Sequence, residues 1–351
     1  FLHIFLNQFL CYNFVDNFYL ERIIMKRINN IKIYEDLDNN ALIKHICKKY
    51  HILYEDILDW HIIKKSIDAR NKDNIHYLYN IAISFKSEKK YSKFDDYKKF
   101  ELPNINIKNN NLERPVIVGA GPAGLFAALT FIKNGIDPII IEQGKKVEDR
   151  KKDVDTFFQT GKLDTNSNIQ FGEGGAGTFS DGKLTSGINN PLCSIVLQDF
   201  YKFGAPEQIL YLAKPHIGTD NLVKIISNIR KYIISKGGEF LFNSKVIDFN
   251  IKDNNIESVI YVTGGKEYKL ATSTLILAIG HSSRDTFYKI YDKGLNMESK
   301  NFSVGVRVEH LQKDINFAQY GDKTKLQLPP AEYKLVYHDK DTGRSCYSFC
   351  M

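Results

Sequence analysis

The run Pro115-Val116-Ile117-Val118, passing straight into Gly119-Ala120-Gly121-Pro122-Ala123-Gly124, constrains this chain more than any other feature. A short apolar run without polar alternation suits a strand buried on both faces, as in a parallel sheet. The spacing after the turn predicts a helix with Leu125, Ala128, Leu129 and Ile132 inward and Gly135 as its C-terminal cap. Pro138-Ile139-Ile140-Ile141 then predicts a second strand, with an acid, Glu142, at its tip, 18 positions past Gly124. That is close to the ~20-residue spacing of a dinucleotide-binding β-α-β unit. Each part has a task in such a unit. Gly119 permits the tight turn, Gly121 admits a pyrophosphate to the backbone, and Gly124 lets helix and strand pack closely. The helix start offers unpaired N–H groups to phosphate, and Glu142 suits a ribose hydroxyl.

Two further segments point to FAD over NAD. The first is a second glycine-rich loop, Phe171-Gly172-Glu173-Gly174-Gly175-Ala176-Gly177-Thr178-Phe179-Ser180-Asp181-Gly182-Lys183. So many glycines allow a backbone path close to a large ligand, although such runs also serve as flexible connectors. The second is Leu275-Ile276-Leu277-Ala278-Ile279-Gly280, an apolar strand ending in Ala-x-Gly. Between them lie a predicted helix over residues 220–236, ended by Gly237-Gly238, and short strands at 240–242, 246–251, 258–262 and 267–270. Strands alternating with helices, with a β-meander inserted, predict an α/β layered fold.

Before this unit, residues 25–90 predict a small α+β module: a strand at 31–34, a helix with Leu42, Ile43, Ile46, Cys47 and Tyr50 on one face, and strands at 59–67 and 74–85. The β-α-β-β order suggests a ferredoxin-like module. Residues 91–113, polar and then Asn-rich, are expected to be linker, 114–300 the dinucleotide unit, and 301–351 the start of a substrate domain. Residues 1–24 lack the basic start and cleavage site of a signal peptide and are expected to add nothing to the fold.

Residues 114–124, the loop 168–187, Ala213-Lys214-Pro215-His216-Ile217-Gly218-Thr219-Asp220 and Ala278-Ile279-Gly280-His281-Ser282-Ser283-Arg284-Asp285 resemble an uncharacterised family of bacterial FAD-dependent dehydrogenases. These are often described as NAD(FAD)-utilising dehydrogenases. The likeness runs from about Met25 to Met351 and includes residues 302–310. It implies a Rossmann-like three-layer FAD fold of glutathione-reductase type, a substrate domain and a cytoplasmic setting, without implying a substrate. By resemblance, FAD contacts fall on Gly119, Gly121, Pro122, Ala123, Gly124 and Glu142, on Gly174, Gly175, Ala176, Gly177 and Thr178, and on backbone at Val246, Ala278 and Gly280. The family pattern continues past Met351, where such folds return to cover the flavin ring. A fragment ending there is expected to bind FAD weakly or not at all.

A flavin enzyme needs a donor near the ring and a group to manage the substrate proton. Candidates are His281, Arg284, Arg307, His310, Ser180 and Lys183, with His281 placed next to the cofactor by its Ala-x-Gly neighbour and Arg307 and His310 on an alternating strand predicted over 304–310. Each has an ordinary structural explanation as well: a histidine satisfied by backbone, an arginine in solvent or an ion pair. Cys346 and Cys350 sit four apart on a predicted strand, about 13 Å, too far for a disulfide without bending. The five scattered cysteines fit a reducing compartment and form no zinc spacing, so no metal is expected. The net charge of +7 is spread along the chain with no dense stripe, which disfavours a nucleic-acid partner. Nor is any stretch apolar for long enough to span a bilayer. The leading expectation is an FAD-dependent oxidoreductase acting on a small organic substrate, with NAD(P)H left open as donor. The alternatives are an FAD-containing RNA-modifying or RNA-associated protein, and an inactive fragment.

Overall fold

The computed structural model describes residues 25–348 apart from 88, 103–112, 180–181, 185–187 and 189. The N-terminal extension, the Asn-rich part of the linker, Ser180, Asp181, Cys350 and the end at Met351 therefore lie outside the described residues. The contacts divide the chain into two units. One holds the residues up to Lys99 together with those from Val308 onward; the other is Phe100–Arg307.

The first unit begins with β1 (Met25–Ile33), α1 (Asn39–Tyr50), β2 (Ile57–Asp68), β3 (His76–Phe85) and β4 (Asp95–Tyr97). The sheet order is β2-β3-β1-β4, antiparallel at every ladder. β1 and β2 therefore run the same way with β3 between them, and α1 is the crossover of a split β-α-β unit. Asp38 caps α1 by accepting from the Ala41 N–H at 2.8 Å, and His51 ends it in the left-handed region at φ 56°. The buried stripe Leu42, Ile43, Ile46 and Cys47 joins Tyr77, Tyr79, Ile81 and Ile83 of β3 in one core.

Two features of this unit differ from expectation. β3 alternates in sequence yet is interior to the sheet, and its other face holds small buried residues, Ala82 and Ser84. Residues 91–99 are not linker. Tyr91 is buried, stacks on Phe85 with ring centroids 4.0 Å apart, and donates its hydroxyl to Asp56 Oδ2 at 2.6 Å. Asp95–Tyr97 then pairs with β1. Charged residues are what exposed edge strands favour, so polarity here concealed a strand.

The second unit is built on a parallel sheet. Its elements are β5 (Val116–Val118), α2 (Pro122–Lys133), β6 (Ile139–Ile141), α3 (Val147–Thr160), α4 (Leu192–Lys202), α5 (Thr219–Ser235), β7 (Glu239–Leu241), β8 (Ser244–Lys252), β9 (Asn255–Thr263), β10 (Lys266–Ala271), β11 (Leu275–Leu277) and α6 (Arg284–Asp292). The order β11-β5-β6-β7 is parallel throughout. The two-residue side-chain period sorts the apolar run into two cores. Ile117 and Ile140 face a helical layer that includes Leu125 and Leu129 of α2, Phe200 of α4, and Ile225 and Ile229 of α5. Val116, Val118, Ile139 and Ile141 face the other way, onto Val246 of β8 and Val259 of β9. The result is three layers: helices, parallel sheet, and the antiparallel meander β10-β9-β8. Each fully buried Ile or Leu contributes roughly 1.5–3 kcal/mol to holding them together.

In the remaining part of the first unit, α7 (Gln312–Tyr320) is followed by a hairpin of β12 (Val336–His338) and β13 (Ser345–Tyr347). Leu326 and Leu328 pack on the core of the β1–β4 sheet. The Gln327 N–H donates to Asp36 Oδ2 at 2.9 Å, and the Tyr77 hydroxyl lies 3.0 Å from the Gln327 carbonyl. The alternating strand expected over residues 304–310 does not form. Those residues lie in neither helix nor strand, and Phe302, Val304 and Val306 are 84–88% exposed. A strand needs a hydrogen-bonded neighbour, and none pairs with this segment among the described residues. No helix among the described residues is long and apolar enough to cross a membrane.

Candidate functional site

The C-terminal ends of β5, β6 and β11 bring three sequence motifs to one place. Val118 leads into Gly119, whose φ of 103° only glycine adopts with ease. A Cβ there would lie 2.4 Å from the Ala278 carbonyl oxygen, because the Ala278 N–H donates to the Val118 carbonyl at 2.8 Å and draws that strand end against the turn. Gly124 is equally constrained: a Cβ would stand 1.9 Å from the Gly119 oxygen. Gly121 is different. Its φ is −72°, open to any residue, and the nearest protein atom to a Cβ is the Gly175 Cα at 3.8 Å. A Cβ here would make only ordinary van der Waals contact. Pro122 stands at the first position of α2, where its missing N–H costs nothing. Pro122 and Ala123 are exposed, and the first-turn amides that follow have no carbonyl one turn back.

Glu142 lies at the tip of β6, as the spacing required, and is buried. Its Oε2 accepts from the Ala120 N–H at 2.7 Å and its Oε1 from the Gly144 N–H at 2.9 Å. The carboxylate thus braces the turn itself, a task the sequence did not reveal. Val246 follows two residues after Ser244, whose N–H donates to the Glu142 carbonyl at 3.0 Å, so the start of β8 borders the same acid.

The second glycine-rich loop packs on the first. The Gly174 N–H donates to the Ala120 carbonyl at 2.8 Å, and a Cβ on Gly175 would lie 2.9 Å from Pro122 Cδ. Thr178 is buried within a short 3₁₀ turn, Ala176–Phe179, whereas Ala176 and Gly177 are exposed beside the turn. Lys183 bridges to His216, and the Ile217 N–H donates to the Gly182 carbonyl at 3.0 Å, so the segment 213–220 anchors the end of this loop.

A buried ionic cluster beneath the loop was not visible in the sequence. Arg150 of α3 is fully buried and donates to the carbonyls of Asn168, Ile169, Glu173 and Gly175 at 2.7–2.9 Å. Burial lowers its pKa to about 10, against the opposing pull of Glu142 and Glu173. Glu173, also fully buried, accepts from the Val147 N–H at 2.7 Å and from Arg230. Burial pushes its carboxyl up to about 7, with Arg230 pulling the other way. Arg230 also donates to Glu148 Oε1 at 2.6 Å. Burial of Glu148 acts to raise its pKa, but the bonds from Arg230 and Ser227 outweigh it and hold the acid at about 2.

The proton-handling candidates are not gathered in this way. His281 is exposed on the loop after Gly280, with Ser282 Oγ donating to Gln170 Oε1 at 3.3 Å and tying that loop to the second glycine loop. Arg284 is exposed at the start of α6, and Arg307 is exposed outside any helix or strand at the end of its unit. His310 belongs to the other unit, where its Nε2 lies 2.7 Å from the Tyr333 hydroxyl. Among the described residues no group of His, Cys, Asp and Glu is arranged to hold a metal.

Residues 301–351 match a family model described as "FAD-dependent protein, C-terminal domain-like", and residues 25–84 match one described as a domain of unknown function. An uncharacterised protein of Clostridium beijerinckii is 44% identical over 337 residues, covering 93% of this chain and 62% of its own length. The chain therefore spans less than two thirds of that relative. A D-amino acid dehydrogenase of Helicobacter pylori is 29% identical over 99 residues, 28% of this chain and 23% of that protein. Among solved structures, Thermovibrio ammonificans THI4 aligns with a TM-score of 0.34 at 14% identity, covering 52% of this chain and 64% of its own.

Proposed function

We propose that Phe100–Arg307 forms the cofactor-holding unit of an FAD-dependent oxidoreductase, with a fold of glutathione-reductase type. The observation that carries this reading is the room left at Gly121, where two glycine loops and the end of β11 converge and a Cβ meets nothing closer than 3.8 Å. In this reading the turn and the start of α2 take the pyrophosphate, Glu142 takes the ribose, and the loop from Gly174 to Thr178 covers the phosphates from the other side. The family match over 301–351 and the dehydrogenase relative support FAD as the dinucleotide and redox chemistry as its use.

FAD, when bound, supplies the hydride or electron transfer, and the protein supplies position and electrostatics. The turn orients the cofactor and its helix N-terminus favours a pyrophosphate. A reduced nicotinamide is the proposed donor, a small organic molecule the acceptor and the cytoplasm the setting, with His281, next in sequence to Gly280, the proposed proton-handling group. Anaerobic addition of NADH or NADPH to the FAD-loaded protein tests this: bleaching of the flavin absorbance without RNA is expected. Failure of the full-length protein, with its natural C-terminal continuation, to take up FAD in titration would contradict the reading.

A further inference from the structure

The second glycine-rich loop has few side chains of its own with which to hold a shape. Of Phe171-Gly172-Glu173-Gly174-Gly175-Ala176-Gly177, four are glycine, and Gly172, Gly174 and Gly175 have φ between 65° and 123°. Such a segment left alone would sample many conformations, and ordering it costs more entropy than ordering any other residue type. Its order comes from outside: the Gly174 N–H donates to the Ala120 carbonyl, Glu173 is held by the Val147 N–H and Arg230, and one side chain, Arg150, gathers four carbonyls in and beside it. The Arg150 guanidinium collects the carbonyls of residues 168, 169, 173 and 175, and its face lies 4.9 Å from the Phe179 ring centroid. Gly172 fits around it so closely that a Cβ would stand 2.3 Å from Arg150 Cδ. Carbonyls drawn onto one cation fix the peptide planes, and this sets Gly174 and Gly175 against Ala120 and Pro122.

We propose that Arg150 is the positioning residue of the flavin site: it presses the second glycine-rich loop onto the Gly119–Gly124 turn and thereby sets the affinity for FAD. This rests on the reading of the turn as an FAD site. Arg150 does not touch the cofactor in this account; it acts through residues 173–177. Lysine cannot replace it, because a single ammonium lacks the planar fork that reaches four carbonyls in different directions.

The test compares the full-length wild-type protein, with its natural C-terminal continuation, with its R150K variant. The expected result is a rise in the FAD dissociation constant of about 10-fold or more, equal to about 1.4 kcal/mol, with a folded apo-protein and faster proteolysis within residues 161–190. Unchanged FAD affinity in folded R150K overturns the proposal while leaving the flavin reading intact. Hydrogen exchange on the wild type keeps the test open if R150K does not fold: FAD is expected to slow exchange at residues 172–178, and no change there overturns the proposal. A full-length wild-type protein that binds no FAD overturns the reading and the proposal together.

Discussion

Gly121→Ala is expected to weaken FAD binding by about 100-fold, roughly 2.7 kcal/mol, while costing no more than about 1 kcal/mol of stability. The asymmetry follows from where the added methyl goes. At Gly121 it meets only the Gly175 Cα at 3.8 Å, in a backbone conformation alanine adopts freely. It therefore occupies the space assigned to the pyrophosphate and nothing else. Gly124→Ala is the contrasting case, since its Cβ would lie 1.9 Å from the Gly119 carbonyl oxygen. Backbone on both sides must then move, and a loss of about 3 kcal/mol or more in stability is expected. Urea unfolding of the apo-proteins and quenching of FAD fluorescence separate the two effects. A folded Gly121→Ala protein that binds FAD like wild type would remove the main support for the site.

Arg230→Met is expected to destabilise the protein by about 3–5 kcal/mol, because it leaves a buried carboxylate without its counter-charge. Glu173 is fully buried and accepts from Arg230 and the Val147 N–H, and Glu148 shares the same arginine. The size of the loss depends on pH. In wild type the Glu173 carboxyl stands at about 7 against an ordinary 4.5, so the native state holds the extra proton and stability falls as pH rises between those values. Without Arg230 the folded pKa rises further, and the fall continues past pH 7. Glu148 acts in the opposite sense: held at about 2, it contributes stability above an ordinary 4.5 that is lost as pH drops through 2. That contribution shrinks in the variant. The gap between the two urea midpoints should therefore be wider at pH 8 than at pH 5. Equal midpoints at both pH values would show that the cluster does not support the loop.

The parallel sheet and the turn were legible because their signals are local. Pro115–Val118, the spaced glycines and Ile139–Ile141 each state their own conformation, and the distance to Glu142 links them. The helix stripes of α1 and α5 were legible for the same reason, since their apolar periods survive without tertiary context. What was hidden depends on partners distant in sequence. α3 is strongly charged, and its one decisive residue, Arg150, is a single member of 48 basic residues until the loop carbonyls close on it. Glu173 looks like an exposed loop acid until Arg230, 57 positions later, buries it. β4 was hidden by its charge. The converse error arose at residues 304–310, where alternation is clear but no ladder partner is present among the described residues. A period of two specifies a strand's faces, not its neighbour.

The central claim is that the Gly119–Gly124 turn holds a pyrophosphate. It is tested most directly by titrating the full-length wild-type protein with FAD, ADP and riboflavin in parallel. FAD and ADP share the pyrophosphate and the ribose that Glu142 would take, whereas riboflavin has neither. FAD and ADP are expected to bind, ADP to displace FAD, and riboflavin to bind at least about 100-fold more weakly. Riboflavin binding as tightly as FAD, or no binding of either FAD or ADP, would contradict the claim.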